Sequence, residues 1–320
     1  MIKNSDTRNS ELFKRCEANP ILTHRDWPYR VNSVFNPGAT MVNDRYLLLV
    51  RVEDLRGFSH LCAARSANGI SDWLIDNQPT LSPLPEECPE ETWGIEDPRI
   101  TWMDDLGRWL IAYTAYSKVG PLVSLATTND FTSFQRLGPA MPPENKDAAL
   151  FPVRFNGRYA MLHRPSPSMG VAGKNIWISF SPDLKHWGDH KVVLESRSEP
   201  SWDTNKIGLS PPPLETSEGW LIMYHGVRET VNGNIYRVGL ALLDREDPTC
   251  VLGRADQWIF GPEETYERCG DVGNVVFPCG WILKGDDLRI YYGGADSCVA
   301  VASASLSQAL SFIRDSPSHL

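Results

Sequence analysis

The chain lacks a surplus of basic charge, paired cysteines, clustered histidines and any long hydrophobic run, and each absence removes a class of function. With 31 Lys and Arg against 40 Asp and Glu, the formal net charge is −9. The electrostatic footprint of a non-specific nucleic-acid binder is therefore missing, although a local basic pocket in an acidic protein still suits a small anion. Seven cysteines, at positions 16, 62, 88, 250, 269, 279 and 298, form no CxxC pair. That pattern reads as reduced thiols, not as a disulfide frame or a zinc site. Seven histidines are spread singly, without HxH or HExxH spacing, so no metal site is expected. No apolar run reaches the roughly 18 residues of a membrane span, and the opening MIKNSDTRNSELFKRCEANP has no hydrophobic signal core. Together these predict a cytoplasmic protein with no membrane or nucleic-acid partner.

What is present is a chain of turns and short strands. Its 320 residues include 24 Gly and 24 Pro, and its length allows about two ordinary domains or one large β architecture. One pattern recurs: a strand rich in aromatic and apolar residues, a turn, then a second strand. It appears as YLLLVRVED with HLCAARSANGISDW, RWLIAYTAYS with LVSLATTNDFTSF, and RYAMLHRPSP with NIWISFSPDLKHW. Two weaker copies follow, GWLIMYHGV with YRVGLALLD and LRIYYGGAD with VAVASASLS. The copies start roughly 50 to 65 residues apart, near the blade period of propellers. Alternation in segments such as WISF suggests half-buried sheet faces. Helical periodicity is confined to residues 9 to 17 and the C-terminal SLSQALSFI. The expected fold is an all-β, five-bladed β-propeller over residues 31–310, with a short helical N-terminal extension (1–30) and a C-terminal tail (311–320). A pair of β-sandwiches is the alternative.

A propeller brings strand ends from every blade to one axial channel, so polar clusters distant in sequence are read together. The first is Asn36 in NPGAT with Arg51, Glu53 and Asp54 in VRVED. Alternation puts Arg51 and Glu53 on one strand face, where they meet a ligand or form an internal salt bridge. The second is GIEDPRIT, with Glu96, Asp97 and Arg99; Pro98 biases Asp97 towards an extended backbone. The third holds Lys146 and Asp147 in NKDAALFP with His163 and Arg164 in MLHRP. The fourth holds Asp203 and Lys206 in SWDTNKIGL, His225 in MYHGV and Tyr236. The fifth is Asp296 in YYGGADS, where two glycines permit close backbone approach to a ligand. Carboxylates with aromatic rings suit a sugar, whereas cations with a tyrosine hydroxyl suit an oxyanion such as phosphate. The two sets together suggest a carbohydrate plus phosphate site.

These motifs, in this order from NPGAT to YYGGADS, resemble glycoside hydrolase family 130, the β-mannoside phosphorylases and β-1,2-mannosidases. The resemblance implies a five-bladed propeller with Asp97 as the acid, protonating the glycosidic oxygen through the mannosyl 3-hydroxyl. Phosphate then attacks the opposite face and α-mannose 1-phosphate forms. It also implies phosphate contacts from Lys146, Arg164, Lys206, His225 and Tyr236, and mannosyl contacts from Asn36, Arg51, Asp54 and Asp296. Glu96, Asp147 and Asp203 are further candidate substrate-site carboxylates. Several phosphorylases of the family have Arg-Asn where this chain has Lys146–Asp147, a departure that leaves this pair's role open. No cofactor is implied beyond inorganic phosphate as co-substrate. The partners expected are a small carbohydrate and phosphate, with homo-oligomerisation possible in principle. Two other readings remain: an inverting mannosidase with Asp147 or Asp203 as base, and a non-enzymatic glycan-binding propeller. Loops 55–60, 116–121 and 166–175 are the expected channel mouth, and there Trp93 and Tyr116 either stack on a sugar or pack in the core.

Overall fold

A computed structural model describes residues 11–166, 174–198 and 200–316. The described strands form five antiparallel sheets, each the blade of a β-propeller. The inner strands are Ser33–Val42, Ile95–Met103, Asn145–Phe155, Lys206–Leu209 and Val276–Lys284. Each repeat found in the sequence is the second and third strand of a blade: Arg45–Glu53 with Ser59–Ser66, Arg108–Ser117 with Gly120–Thr128, Arg158–Pro165 with Ile176–Ser181, Gly219–Thr230 with Gly233–Leu243, and Asp287–Gly294 with Cys298–Ser305.

The unbroken apolar runs in these strands follow from the architecture. A blade is covered on both faces by its neighbours, so a strand needs hydrophobic side chains on both. In YLLLV, Leu47 and Leu49 pack towards the second blade, while Leu48 and Val50 pack towards the fifth. In WLIMY, Trp220, Ile222 and Tyr224 face the third blade, whereas Leu221 and Met223 face the fifth. Every interface between neighbouring blades thus has its own hydrophobic cluster. The half-buried faces expected for WISF are corrected by the same argument: Ile178, Ser179 and Phe180 are all buried.

The helix expected over residues 9 to 17 does not form in the described residues from 11 onward. Lys14–Arg15 and Leu22–Thr23 are instead two-residue strands, both paired with Cys298–Ser305. The N-terminal segment supplies the outer edge of the last blade and covers an edge that would otherwise offer unpaired backbone groups. Phe13 is buried against Phe260, and Arg15 reaches the fully buried Glu267, with Nε 2.8 Å from Oε1 and Nη2 2.9 Å from Oε2. At the other end the expected helix is present as Leu306–Arg314, capped by Ser305 and burying Ala309, Leu310 and Ile313. It crosses the 310/311 division between propeller and tail, because its apolar stripe belongs to the cluster between the fourth and fifth blades.

Removing Arg15 would leave the Glu267 carboxylate buried without its cation. Arg15→Ala is expected to cost about 3 kcal/mol of folding stability, read from the urea midpoint; a change below about 0.5 kcal/mol would show that blade closure does not depend on this pair.

Candidate active site

In three of the inner strands the register breaks near the start at an Asn or Asp, between Phe35 and Gly38, Glu96 and Arg99, and Lys146 and Ala149. At each break stands an Asn or Asp with positive φ: Asn36 at 46°, Asp97 at 50° and Asp147 at 54°. Short polar side chains tolerate the left-handed region better than other residues carrying a Cβ, and a bulge re-aims the side chain it carries. All three line one cavity of about 330 Å³. The extended backbone expected for Asp97 before Pro98 is therefore corrected, because the bulge places it in the left-handed region.

On one side of the cavity Asp97 Oδ1 accepts from Asn36 Nδ2 at 2.9 Å and from Arg51 Nη1 at 3.1 Å. Arg51 also donates to Glu96 Oε1 at 3.1 Å and to Ser59 Oγ at 2.9 Å. Glu96 thus sets Asp97 through Arg51. Arg99 acts on the backbone instead: Nη1 donates to the Asp97 carbonyl at 2.9 Å, Nε to that of Ser210 at 2.9 Å and Nη2 to that of Leu209 at 3.0 Å. Burial opposes the Asp97 charge, but Arg51, Lys146, Arg99 and the Asn36 amide outweigh it and hold the carboxyl below its ordinary range. Asp296 lies on the same cavity. Burial lifts its pKa to about 7, with Asp97 and Glu96 pushing the same way against Arg51 and Lys146.

The opposite side is built around Asp147. Its Oδ2 takes Arg164 Nε at 2.7 Å and Nη2 at 2.6 Å, with His225 Nε2 at 3.4 Å. Arg99 Nη2 stands 3.6 Å from Oδ1. Burial again opposes the charge, yet Arg164, His225 and Arg99 hold Asp147 well below the carboxylate range. Burial also lowers His225 to about 4, leaving it neutral at physiological pH. Lys206, its Nζ 5.1 Å from the Tyr236 ring centre, is lowered to about 8 by burial and by the nearby Arg164 and Lys146. Lys146 Nζ, 3.9 Å from Glu96 Oε2, links the two sides. The departure at Lys146–Asp147 thereby acquires a structural account: Asp147 is spent on orienting Arg164 and His225.

Most of the expected site residues meet here. Asn36, Arg51, Asp97, Lys146, Asp147, Arg164, Lys206, His225, Tyr236 and Asp296 all line the cavity. Two do not. Asp203 is fully buried beside the fourth blade's second strand, bonded to Ser201, Tyr224, Arg197 and Arg254. It is a structural ion-pair node, and its place in a polar stretch of sequence did not distinguish it from a site residue. Asp54 accepts from Arg56 and from the Phe58 amide and lines a neighbouring groove. His163 is likewise buried away from the cavity, against Asn145 and Ser179. The glycine pair of YYGGADS serves packing: a Cβ on Gly293 would sit 2.1 Å from Asn36 Oδ1. Ser166, at the start of the 166–175 loop expected at the channel mouth, accepts from Arg164 at 2.8 Å, though sequence reasoning gave it no role of its own; it missed Phe277, whose ring lies 4.6 Å from that of His225. Nothing in a lone Ser or Phe marks it, but the recurring NPG, DPR and DAA steps of the bulges were a readable signal.

Comparison with known proteins agrees with this geometry. A family model described as β-1,4-mannooligosaccharide phosphorylase, of the glycoside hydrolase family 130 group, matches residues 6–315. The chain belongs to glycoside hydrolase family 130. It is 36% identical over 312 residues to β-1,4-mannooligosaccharide phosphorylase of Ruminococcus albus, covering 95% of this chain and 91% of that one. It is 41% identical over 262 residues to β-1,2-mannobiose phosphorylase of Listeria innocua, covering 80% and 71%. The solved complex of β-1,2-mannobiose phosphorylase from Listeria innocua with β-1,2-mannobiose superposes with a TM-score of 0.85 at 34% identity, over 94% of this chain and 99% of that one. As a family 130 member the chain is an enzyme of the mannoside phosphorylase group, and its relatives support phosphorolysis of β-mannosides.

Asp296 carries a stability prediction. Its native pKa, raised above the unfolded value, means that the folded state binds the extra proton, so stability falls as pH rises towards about 7 and the loss is complete above it. Asp296→Asn should therefore raise the melting temperature relative to wild type by clearly more at pH 8 than at pH 5; equal shifts at both values would show that Asp296 ionises normally.

Proposed function

We propose that this chain catalyses inverting phosphorolysis of a β-mannoside, releasing α-mannose 1-phosphate, with Asp97 as the acid working through the mannosyl 3-hydroxyl. A phosphate oxygen bonds to the anomeric carbon as the bond to the bridging oxygen breaks. That oxygen takes the 3-hydroxyl proton, and the 3-hydroxyl is reprotonated by Asp97. The observation that carries this reading is that one cavity holds Asp97, bonded to Arg51 and Asn36, together with a set of oxyanion-binding groups, Lys146, Arg164, Lys206, His225 and Tyr236. Fixed cations and hydroxyl donors suit an oxyanion nucleophile, whose approach they hold in line and shield.

Hydrolysis would need a second carboxylate to take a proton from water. Asp147 is a poor base, because Arg164, His225 and Arg99 stabilise its charge. Asp203, bonded within its own buried network, does not line the cavity. The acid role of Asp97 requires a proton that the surrounding cations disfavour in the free protein. Asp97 and Asp296 raise one another's cost of ionising, so they titrate as a pair, and the proton of that pair rests first on Asp296. A phosphate dianion beside Lys146 offsets part of the field acting on Asp97 and favours moving the proton to it.

The experiment is product analysis on β-1,2- and β-1,4-mannosides with and without phosphate. Mannose 1-phosphate is expected only with phosphate, and Asp97→Asn should lower kcat by about 10² to 10⁴. Free mannose formed equally in both buffers would make the chain a hydrolase.

Lys206 sets a second expectation. Its charge is needed for phosphate and is lost as pH passes about 8, so the KM for phosphate should rise above that pH. Lys206→Arg should move the rise upward, since a guanidinium keeps its proton; an unchanged profile in that variant would remove Lys206 from phosphate binding.

A further inference from the structure

The catalytic cavity, at about 330 Å³, lies at the small end of ligand pockets. A mannosyl ring and phosphate leave little of it for a leaving group. Next to it is a groove of about 560 Å³, lined by Tyr29, Arg30, Asp54, Arg56 and Phe58 among others. The two share a wall. Ser59 lines the groove while its Oγ accepts from Arg51, which lines the cavity. Gly94 lines the groove and runs directly into the strand that carries Asp97.

Over this wall stands an exposed aromatic pair. Trp93 and Tyr116 are 41% and 36% exposed, with ring centres 5.7 Å apart at 46°. Tyr116 lines the cavity, and Trp93 lies between Thr92 and Gly94, both of which line the groove. Their backbones are tied, Trp93 N to the Tyr116 carbonyl at 2.8 Å and Tyr116 N to the Gly94 carbonyl at 3.0 Å. Gly94 makes that placement possible: at φ 117° a Cβ there would lie 2.7 Å from Ser59 N. Two large, partly exposed rings packed on each other, one of them lining a polar cavity, leave apolar surface for a ligand at that point. Flat apolar faces beside Arg and Asp side chains match a chain of sugar rings, each with an apolar face and a rim of hydroxyls.

Resting on the phosphorolysis reading, we propose that the leaving-group end of the substrate crosses the Trp93–Tyr116 ledge into the groove bordered by Asp54, Arg56 and Phe58. The preferred substrate is then a β-manno-oligosaccharide of three or more units, with the disaccharide as the poorer one. Asp54, expected at the mannosyl ring, acts in this groove instead. Its carboxylate fixes Arg56, whose guanidinium carbon lies 5.2 Å from the centre of the exposed Phe58 ring.

The test is mannose 1-phosphate release from β-1,2- and β-1,4-linked mannosides of two, three and four units at saturating phosphate. Wild type should show kcat/KM rising at least about fivefold from two to three units in the linkage it accepts, the scale of one good stacking contact. Trp93→Ala and Phe58→Ala should each reduce that ratio to below about twofold. Both side chains are exposed, and Phe58→Ala provides an independent readout if Trp93→Ala folds poorly. A flat length series in wild type, or variants that lower all lengths by the same factor, would overturn the proposal. If wild type releases no mannose 1-phosphate from any length, the phosphorolysis reading has failed. Calorimetry with the trisaccharide then decides the groove separately, Trp93-dependent binding upholding it and absence of binding overturning it.

Discussion

The guanidinium of Arg99 is the constraint on which the site depends. It is almost completely buried, and it donates to the carbonyl of Asp97 in its own blade and to those of Leu209 and Ser210 in the fourth. Its Nη2 also stands 3.6 Å from Asp147 in the third blade, and its Cζ lies 5.7 Å from the centre of the Phe277 ring in the fifth. One planar cation therefore ties four blades together, with donors in a fixed fork. Since a buried guanidinium without acceptors would be costly, the backbones that surround it are held at those positions. The consequence is a cavity whose strands from the second, third and fourth blades are tied to one buried group.

Each wall solves the same electrostatic problem in a different way. Asp97 shares Arg51 with Glu96, so one guanidinium serves two carboxylates and neither monopolises it. Asp147 is enclosed by Arg164, His225 and Arg99, and its charge is fully used inside the protein. Asp296, its pKa lifted to about 7 by burial and with no fixed ion pair among the described residues, lines the same cavity.

The arrangement of strands places these walls. Bulges at Asn36, Asp97 and Asp147 turn three side chains out of the sheet pattern and into the axial cavity, while apolar positions of the second and third of those strands, such as Ile95, Ile100, Ala148 and Leu150, pack between blades. Ring closure is completed by the N-terminal strands on the last blade, and Arg15 with Glu267 fixes that seam. Stability is therefore drawn from the interfaces between blades, which leaves the axis free to carry polar residues that a packed core would reject.

The sequence by itself determined the number of blades, because each repeat must bury both faces of its strands and so writes a continuous apolar run that can be counted. It also determined which polar clusters face the axis, since strand order brings the same end of every blade to one place. Only the tertiary structure decided how the members of those clusters divide. Asp203 and Asp147 look alike along the chain, yet one lies in a buried network with Arg197 and Arg254 and the other anchors Arg164 and His225 at the cavity. Likewise the N-terminal residues carried a helical pattern but formed strands, because Cys298–Ser305 presented an open edge and pairing with it gained more than a short isolated helix could. Which partner a charge or a backbone edge meets depends on residues tens to hundreds of positions away, and local pattern carries little record of that distance.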